Sequence, residues 1–200
     1  GVHNIENLLN SGSGNVPNEP FIQRSGVSHI KFFGTYYNDF LNLGNDILLL
    51  KLITPVIFTP QVSPICLPPY KEVYSEPPRE SIIMGWGTTE LAFTSDVLKE
   101  ATVQAINGAQ CRETSLYGNL VKDSMVCASA PGKDFCQGDA GGPLVVKSAT
   151  SYTQLGVASW GILCARDKLP GVFTSVGGFV NTIYAKTRGG IYCRNPDAGL

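Results

Sequence analysis

The fold class this sequence points to is all-β, a sandwich or a barrel of short strands. Glycine (22) and proline (13) are plentiful among the 200 residues, whereas charged residues make up only 16%. That mix suits many turns between short, half-buried strands. Apolar runs of four to eight residues recur along the chain, each bounded by turn-forming residues, and long helical periodicity is missing. A proline-rich stretch from Thr54 to Tyr70, with Pro55, Pro60, Pro64, Pro68 and Pro69, cannot be a regular central strand and reads as a connector between two halves.

In chain order, Gly1–Ile5 reads as a short strand and Asn7–Pro20, rich in Asn, Ser, Gly and Pro, as a surface loop. Val27–Phe33 is predicted as a strand and Gly34–Leu43 as a loop. Ile47–Leu52 is a continuous apolar run short enough for a buried strand. Strands of the second half are predicted at Ser81–Gly85, Leu98–Ala105, Met125–Ala128, Pro143–Lys147, Gln154–Trp160 and Gly171–Thr174. Helices are predicted at Asn107–Tyr117 and Phe179–Lys186, the second with Phe179 and Ile183 one turn apart.

A formal net charge of −1 without a basic run argues against nucleic acid as a partner. No apolar window is long enough to span a membrane. The six cysteines lack the Cys-x-x-Cys spacing of a zinc site, so disulfides and an oxidising, secreted setting are expected, with no metal and no cofactor. The chain opens at Gly1 with neither an initiator Met nor a signal peptide, as a processed product or an incomplete record would.

The chemistry gathers at Asp134-Phe-Cys-Gln-Gly-Asp-Ala-Gly-Gly-Pro-Leu144. Gly138, Ala140, Gly141 and Gly142 let the backbone turn sharply and leave N–H groups free to face a ligand. Asp134 and Asp139 flank Cys136 there. This run resembles the active-site loop of chymotrypsin-family (S1, trypsin-like) serine proteases, Gly-Asp-Ser-Gly-Gly-Pro, with Ala140 at the nucleophile position. Five further matches follow in the family's order: Asn45–Leu52, Ile65-Cys66-Leu67-Pro68, Gly85-Trp86-Gly87, Ser159-Trp160-Gly161 and Pro170–Thr174.

The resemblance implies two six-stranded Greek-key β-barrels and a short C-terminal helix. The domain would run over 1–188, with 1–60 as the remainder of the first barrel, 61–80 as connector, 81–188 as second barrel and helix, and 189–200 as a tail. The family's Ile-Val-Gly-Gly-like opening and its Thr-Ala-Ala-His-Cys segment are not matched, and Gly1–Ile5 looks like the stretch that follows them. The first barrel is therefore expected to be incomplete, to be finished by another polypeptide or to belong to a fragment. An open barrel exposes strand edges and apolar faces.

The resemblance also assigns roles. Asp46 matches the triad aspartate, which orients and stabilises an imidazole. His3 lies ahead of it at a family-like separation, but its context fits the segment after the catalytic histidine. His29 falls in a predicted strand. Gly138 and Ala140 would supply the oxyanion-hole N–H groups, which a Ser→Ala change leaves in place. Loss of the hydroxyl would lower turnover on the order of 10⁶-fold, by analogy with triad knockouts in an unrelated protease of the same mechanism. Asp134 matches the floor of a pocket for Arg or Lys, walled by Ser159, Trp160, Gly161 and Gly171. Phe135 and Leu163 replace small residues there, and either could narrow the slot. Asp139 matches the carboxylate that pairs with a new amino terminus, so it calls for a cation from another chain or a changed loop.

Cys111–Cys127 and Cys136–Cys164 match the family's pairs. Cys66 matches a cysteine that usually reaches an upstream segment. Cys193 has no counterpart; it pairs with Cys66, or each bonds something outside the chain. The expectation is a secreted serine-protease homologue without catalysis that binds protein partners, substrates or inhibitors, for instance as a regulator in an extracellular proteolytic cascade. The alternative is an endopeptidase cleaving after Arg or Lys, inactivated at Ala140 or incompletely recorded.

Overall fold

In a computed structural model, residues 2–5, 21–34, 44–70, 78–89 and 93–193 are described. The loops expected at Asn7–Pro20 and over 35–43 lie outside them, as do 71–77 and the tail beyond residue 193.

Strands β1 (Val27–Phe32) and β2 (Leu48–Leu52) form an antiparallel two-stranded sheet. Strands β3 (Arg79–Gly85), β4 (Lys99–Asn107), β5 (Met125–Ser129), β6 (Pro143–Lys147), β7 (Tyr152–Trp160) and β8 (Gly171–Ser175) close a barrel in the order β3-β4-β5-β8-β7-β6. Every ladder in it is antiparallel, and the Ile82–Val145 and Ile83–Leu144 pairs join its two ends. Closure removes the strand edges that an open sheet would present.

The barrel interior holds Ile83, Val103, Ala105, Val126, Ala128, Leu144, Leu155, Ala158 and Phe173, all buried. On β4, Val103 and Ala105 point inward and Thr102 and Gln104 do not, the period of two expected of a half-buried strand. Gly156 makes room for Phe173, because a Cβ there would lie 2.8 Å from the Phe173 Cβ. A second cluster outside the barrel combines Tyr117, Val121, Met125 and Val172 with Cys111–Cys127.

Helix α1 (Gly108–Thr114) starts where Asn107 caps it, its side-chain oxygen accepting from Gln110 N at 2.8 Å. It ends three residues short of the predicted Tyr117, at an extended Ser115, and the chain continues through a 3₁₀ turn over Gly118–Leu120. Helix α2 (Val176–Lys186) begins earlier than predicted and buries Val176, Val180 and Ile183, spaced i, i+4, i+7. Its Phe179 meets Phe33 edge to face at 5.6 Å, and Lys31 Nζ donates to the Lys186 carbonyl. This helix ties the β1–β2 sheet to the barrel, with Ile47, Leu49 and Val157 in the same cluster.

Two expectations are corrected. Of the strand expected at Gly1–Ile5, the described residues 2–5 form a single bridge, Asn4 to Val97. The apolar run Ile47–Leu52 does not make a buried strand: Leu48, Leu50 and Leu52 are exposed, as are their cross-strand neighbours Ile30 and Phe32. Two strands have two faces, and α2 covers only the one carrying Leu49. Cys66 and Cys193 pair with each other, so neither sulfur is left for another polypeptide. Among the described residues, no helix is long and apolar enough to cross a membrane.

Candidate active site

Asp46 sits just ahead of β2, behind Asn45, whose left-handed backbone (φ 60°) is one that Asn tolerates better than most residues. The Ser159 hydroxyl donates to Asp46 Oδ2 at 2.6 Å, and the Thr174 hydroxyl donates to the Asp46 carbonyl at 2.8 Å. Two barrel strands, β7 and β8, thus hold the carboxylate contributed by the first half. Sequence reasoning placed Ser159 in the pocket wall; its hydroxyl is engaged with Asp46. That link joins residues 113 apart, so no local pattern could have revealed it.

The loop that carries Ala140 is held from both sides. Gly141 N donates to Ala158 O and Ala158 N to Gly142 O, each at 2.8 Å, which sets the loop beside β7, one residue before Ser159. Gly138 and Gly141 have positive φ (94° and 84°), a conformation that glycine adopts without steric cost. Asp139 N, Gly141 N and Gly142 N all have backbone acceptors. Among the described residues, Gly138 N and Ala140 N have none, and both residues are exposed. Those are the two amides expected to form an oxyanion hole.

Asp139 turns inward. Its Oδ1 accepts from Gly87 N at 2.7 Å and its Oδ2 from Cys136 N at 3.0 Å. A Cβ on Gly85 or Gly87 would fall 2.0 Å and 2.4 Å from the carboxyl group, so Gly85-Trp86-Gly87 is glycine-flanked to admit it. Among the described residues, backbone amides rather than a cation meet this carboxylate. The sequence left open a cation from another chain or a changed loop; amide donors were not weighed.

Asp134 is likewise held by amides: Oδ1 accepts from Phe135 N at 2.8 Å and Oδ2 from Ala165 N at 3.1 Å. Burial pushes its carboxyl up to about 6, against the lowering effect of amides from Ala165, Phe135 and Gly171. A cavity of about 330 Å³ lies beside it, bordered by Asp134, Phe135, Asp139, Ala158 and Phe173. The expected walls Ser159, Trp160, Gly161 and Gly171 do not border that cavity.

The two departures at the slot resolve differently. Leu163 has a left-handed backbone (φ 65°), and its side chain stands 64% exposed. Phe135 turns in, edge to face on Phe173 at 5.0 Å. Trp160 packs on the ring of Tyr117 at 4.9 Å, and its buried indole N–H has no partner among the described residues. The Tyr117 hydroxyl accepts from Ile162 N at 3.2 Å, and burial pushes its ionisation up. Tyr117 anchors the 161–162 backbone, a role the sequence reading missed, since a tyrosine closing a predicted helix gave no such signal.

Neither histidine carries a hydrogen bond that joins it to Asp46 in the geometry above. The His3 carbonyl accepts from Trp86 Nε1 at 3.1 Å and Leu98 N at 2.8 Å, which pins that residue beside the β3–β4 connection. His29 Nδ1 lies 3.2 Å from Ser28 Oγ on β1. Disulfides Cys111–Cys127 and Cys136–Cys164 form as the resemblance implies, and the second ties the Ala140 loop to the 161–169 loop.

Comparison with known proteins agrees with this geometry. The Trypsin family pattern matches residues 3–183. Trypsin-1 of Astacus astacus is 42% identical over 172 residues, which cover 84% of this chain and 70% of that protein. An aspartate clasped by a β7 serine, a glycine loop with two free amides and a closed six-strand barrel stand on a sequence this similar to a trypsin; the chain belongs to the trypsin family of serine proteases.

Proposed function

We propose that this chain is a secreted trypsin-family protein that binds other proteins through its substrate groove without cutting them, acting as a regulator in an extracellular proteolytic cascade. The observation that carries the reading is Ala140 at the nucleophile position. A methyl group cannot attack a carbonyl, whereas the free amides of Gly138 and Ala140 can still donate to a peptide carbonyl or a carboxylate. The three disulfides suit an oxidising compartment. Incubating the full chain with Arg and Lys ester substrates and a covalent serine-directed probe tests it. No turnover and no labelling are expected; either one overturns the reading.

A second reading is favoured by the intact support around the missing hydroxyl. Ser159 still holds Asp46, and the Ala140 loop keeps its bonds to Ala158. This support suits the alternative of an endopeptidase for Arg or Lys whose serine has been replaced. A serine codon at position 140 in the parent transcript, with an upstream histidine segment, would decide for it.

A further inference from the structure

We propose that Phe135 closes the slot above Asp134, so that the groove of this chain does not take up Arg or Lys side chains. Glycine at a pocket wall serves a ligand only if the space left by its missing side chain stays empty. At Gly171 that space is taken by the protein itself. A Cβ built there would meet Asp134 Oδ1 at 2.4 Å and the Phe135 ring at 2.7 Å and 2.8 Å. The ring is no loose lid. It lies edge-on to the buried Phe173 and packs against the barrel core, so expelling it would give up an aromatic pair and buried apolar area.

The carboxylate beneath is also committed. The amides of Phe135 and Ala165 occupy two of its roughly four acceptor positions, one on each oxygen. A guanidinium arriving from the groove would meet a phenyl ring before a carboxylate, and each carboxylate oxygen already accepts an amide. The open volume beside Asp134 lies toward Gly85, Asp139 and Ala158 and not toward Gly161 or Gly171. At the mouth, Leu163 points to solvent, which leaves Phe135 as the determining residue.

The inference rests on the groove being a binding surface, yet its test needs no catalysis. Benzamidine, a flat aryl cation, is titrated calorimetrically into the full chain, Phe135→Ser and Phe135→Ser/Asp134→Asn, with thermal melts as a folding control. The unaltered chain should show no saturable binding up to about 10 mM. Phe135→Ser should bind at least about tenfold more tightly, and the double variant should lose that gain. Binding by the unaltered chain equal to that of Phe135→Ser overturns the proposal, as does a cooperatively melting Phe135→Ser that fails to bind. Should Phe135→Ser not fold, Phe135→Ala replaces it; should neither fold, the titration of the unaltered chain decides. Hydrolysis of an ester without a cationic side chain would sink the non-catalytic reading and leave this one standing, whereas turnover of Arg or Lys esters would sink both.

Discussion

The β1–β2 sheet and the β3–β8 barrel are built from the same kinds of residues, and they treat those residues oppositely. Ile30, Phe32, Leu48 and Leu50 stand 44–59% exposed, whereas Ile83, Val103, Leu144 and Phe173 are at most 6% exposed. Strand propensity is not the difference. The barrel wraps its apolar face around itself, so each strand supplies the other side of its neighbours' core. The two-stranded sheet has α2 against one face, and its other face is open to water. Alternation in a strand specifies which side chains share a face; it does not supply the layer that covers them.

Truncation sharpens the contrast most. Phe173→Ala should cost about 3–5 kcal/mol, since the barrel cannot collapse around the gap, and Phe32→Ala should stay within about 0.5 kcal/mol. Urea unfolding of both variants checks this. Equal losses would mean that the outer face of β1 is covered in solution, and the contrast would fail.

A smaller effect probes the seam between the regions. Ser159→Ala removes a hydrogen bond to the carboxylate of Asp46 and leaves that half-buried group short of a donor, which should cost about 1.5–3 kcal/mol. Calorimetric unfolding should show β1–β2 melting ahead of the barrel in this variant. An unchanged melting curve would show that α2 alone couples the two.

The smallest effect belongs to the barrel alone. Asp134 binds its proton more tightly in the folded chain, at about 6 against an ordinary 3.8. Its contribution to stability is therefore full below about pH 4 and is lost as pH rises through 6. Allowing for the solvent that still reaches the group, the change is about 1–2 kcal/mol. Asp134→Asn should flatten the slope of unfolding free energy between pH 4 and 6. A slope left intact would assign it to another group.

Much of the barrel was legible because its strands are short apolar runs between turn residues: Pro143–Lys147 was read with its bounds correct, and five others within two residues at either end. The loop around Ala140 was legible through its glycines, which exist for backbone reasons that sequence preserves. What could not be read depends on contacts between distant segments. The exposure of Leu48 and Leu50 follows from what lies across the sheet. The Ser159–Asp46 bond follows from how the two halves meet. Phe135 was visible as a large residue where a small one is usual, but whether it or Leu163 would fill the slot was decided by φ at Leu163 and by the Phe173 ring.

The Cys66–Cys193 bond gives this chain an unusual response to being nicked. It fastens the proline-rich connector to the segment just past the last helix, and 127 positions separate the two sulfurs. Any protease that clips a loop of the barrel once leaves both pieces covalently attached. Such a molecule keeps its full mass on a gel run without reductant and falls into two bands only when thiol is added.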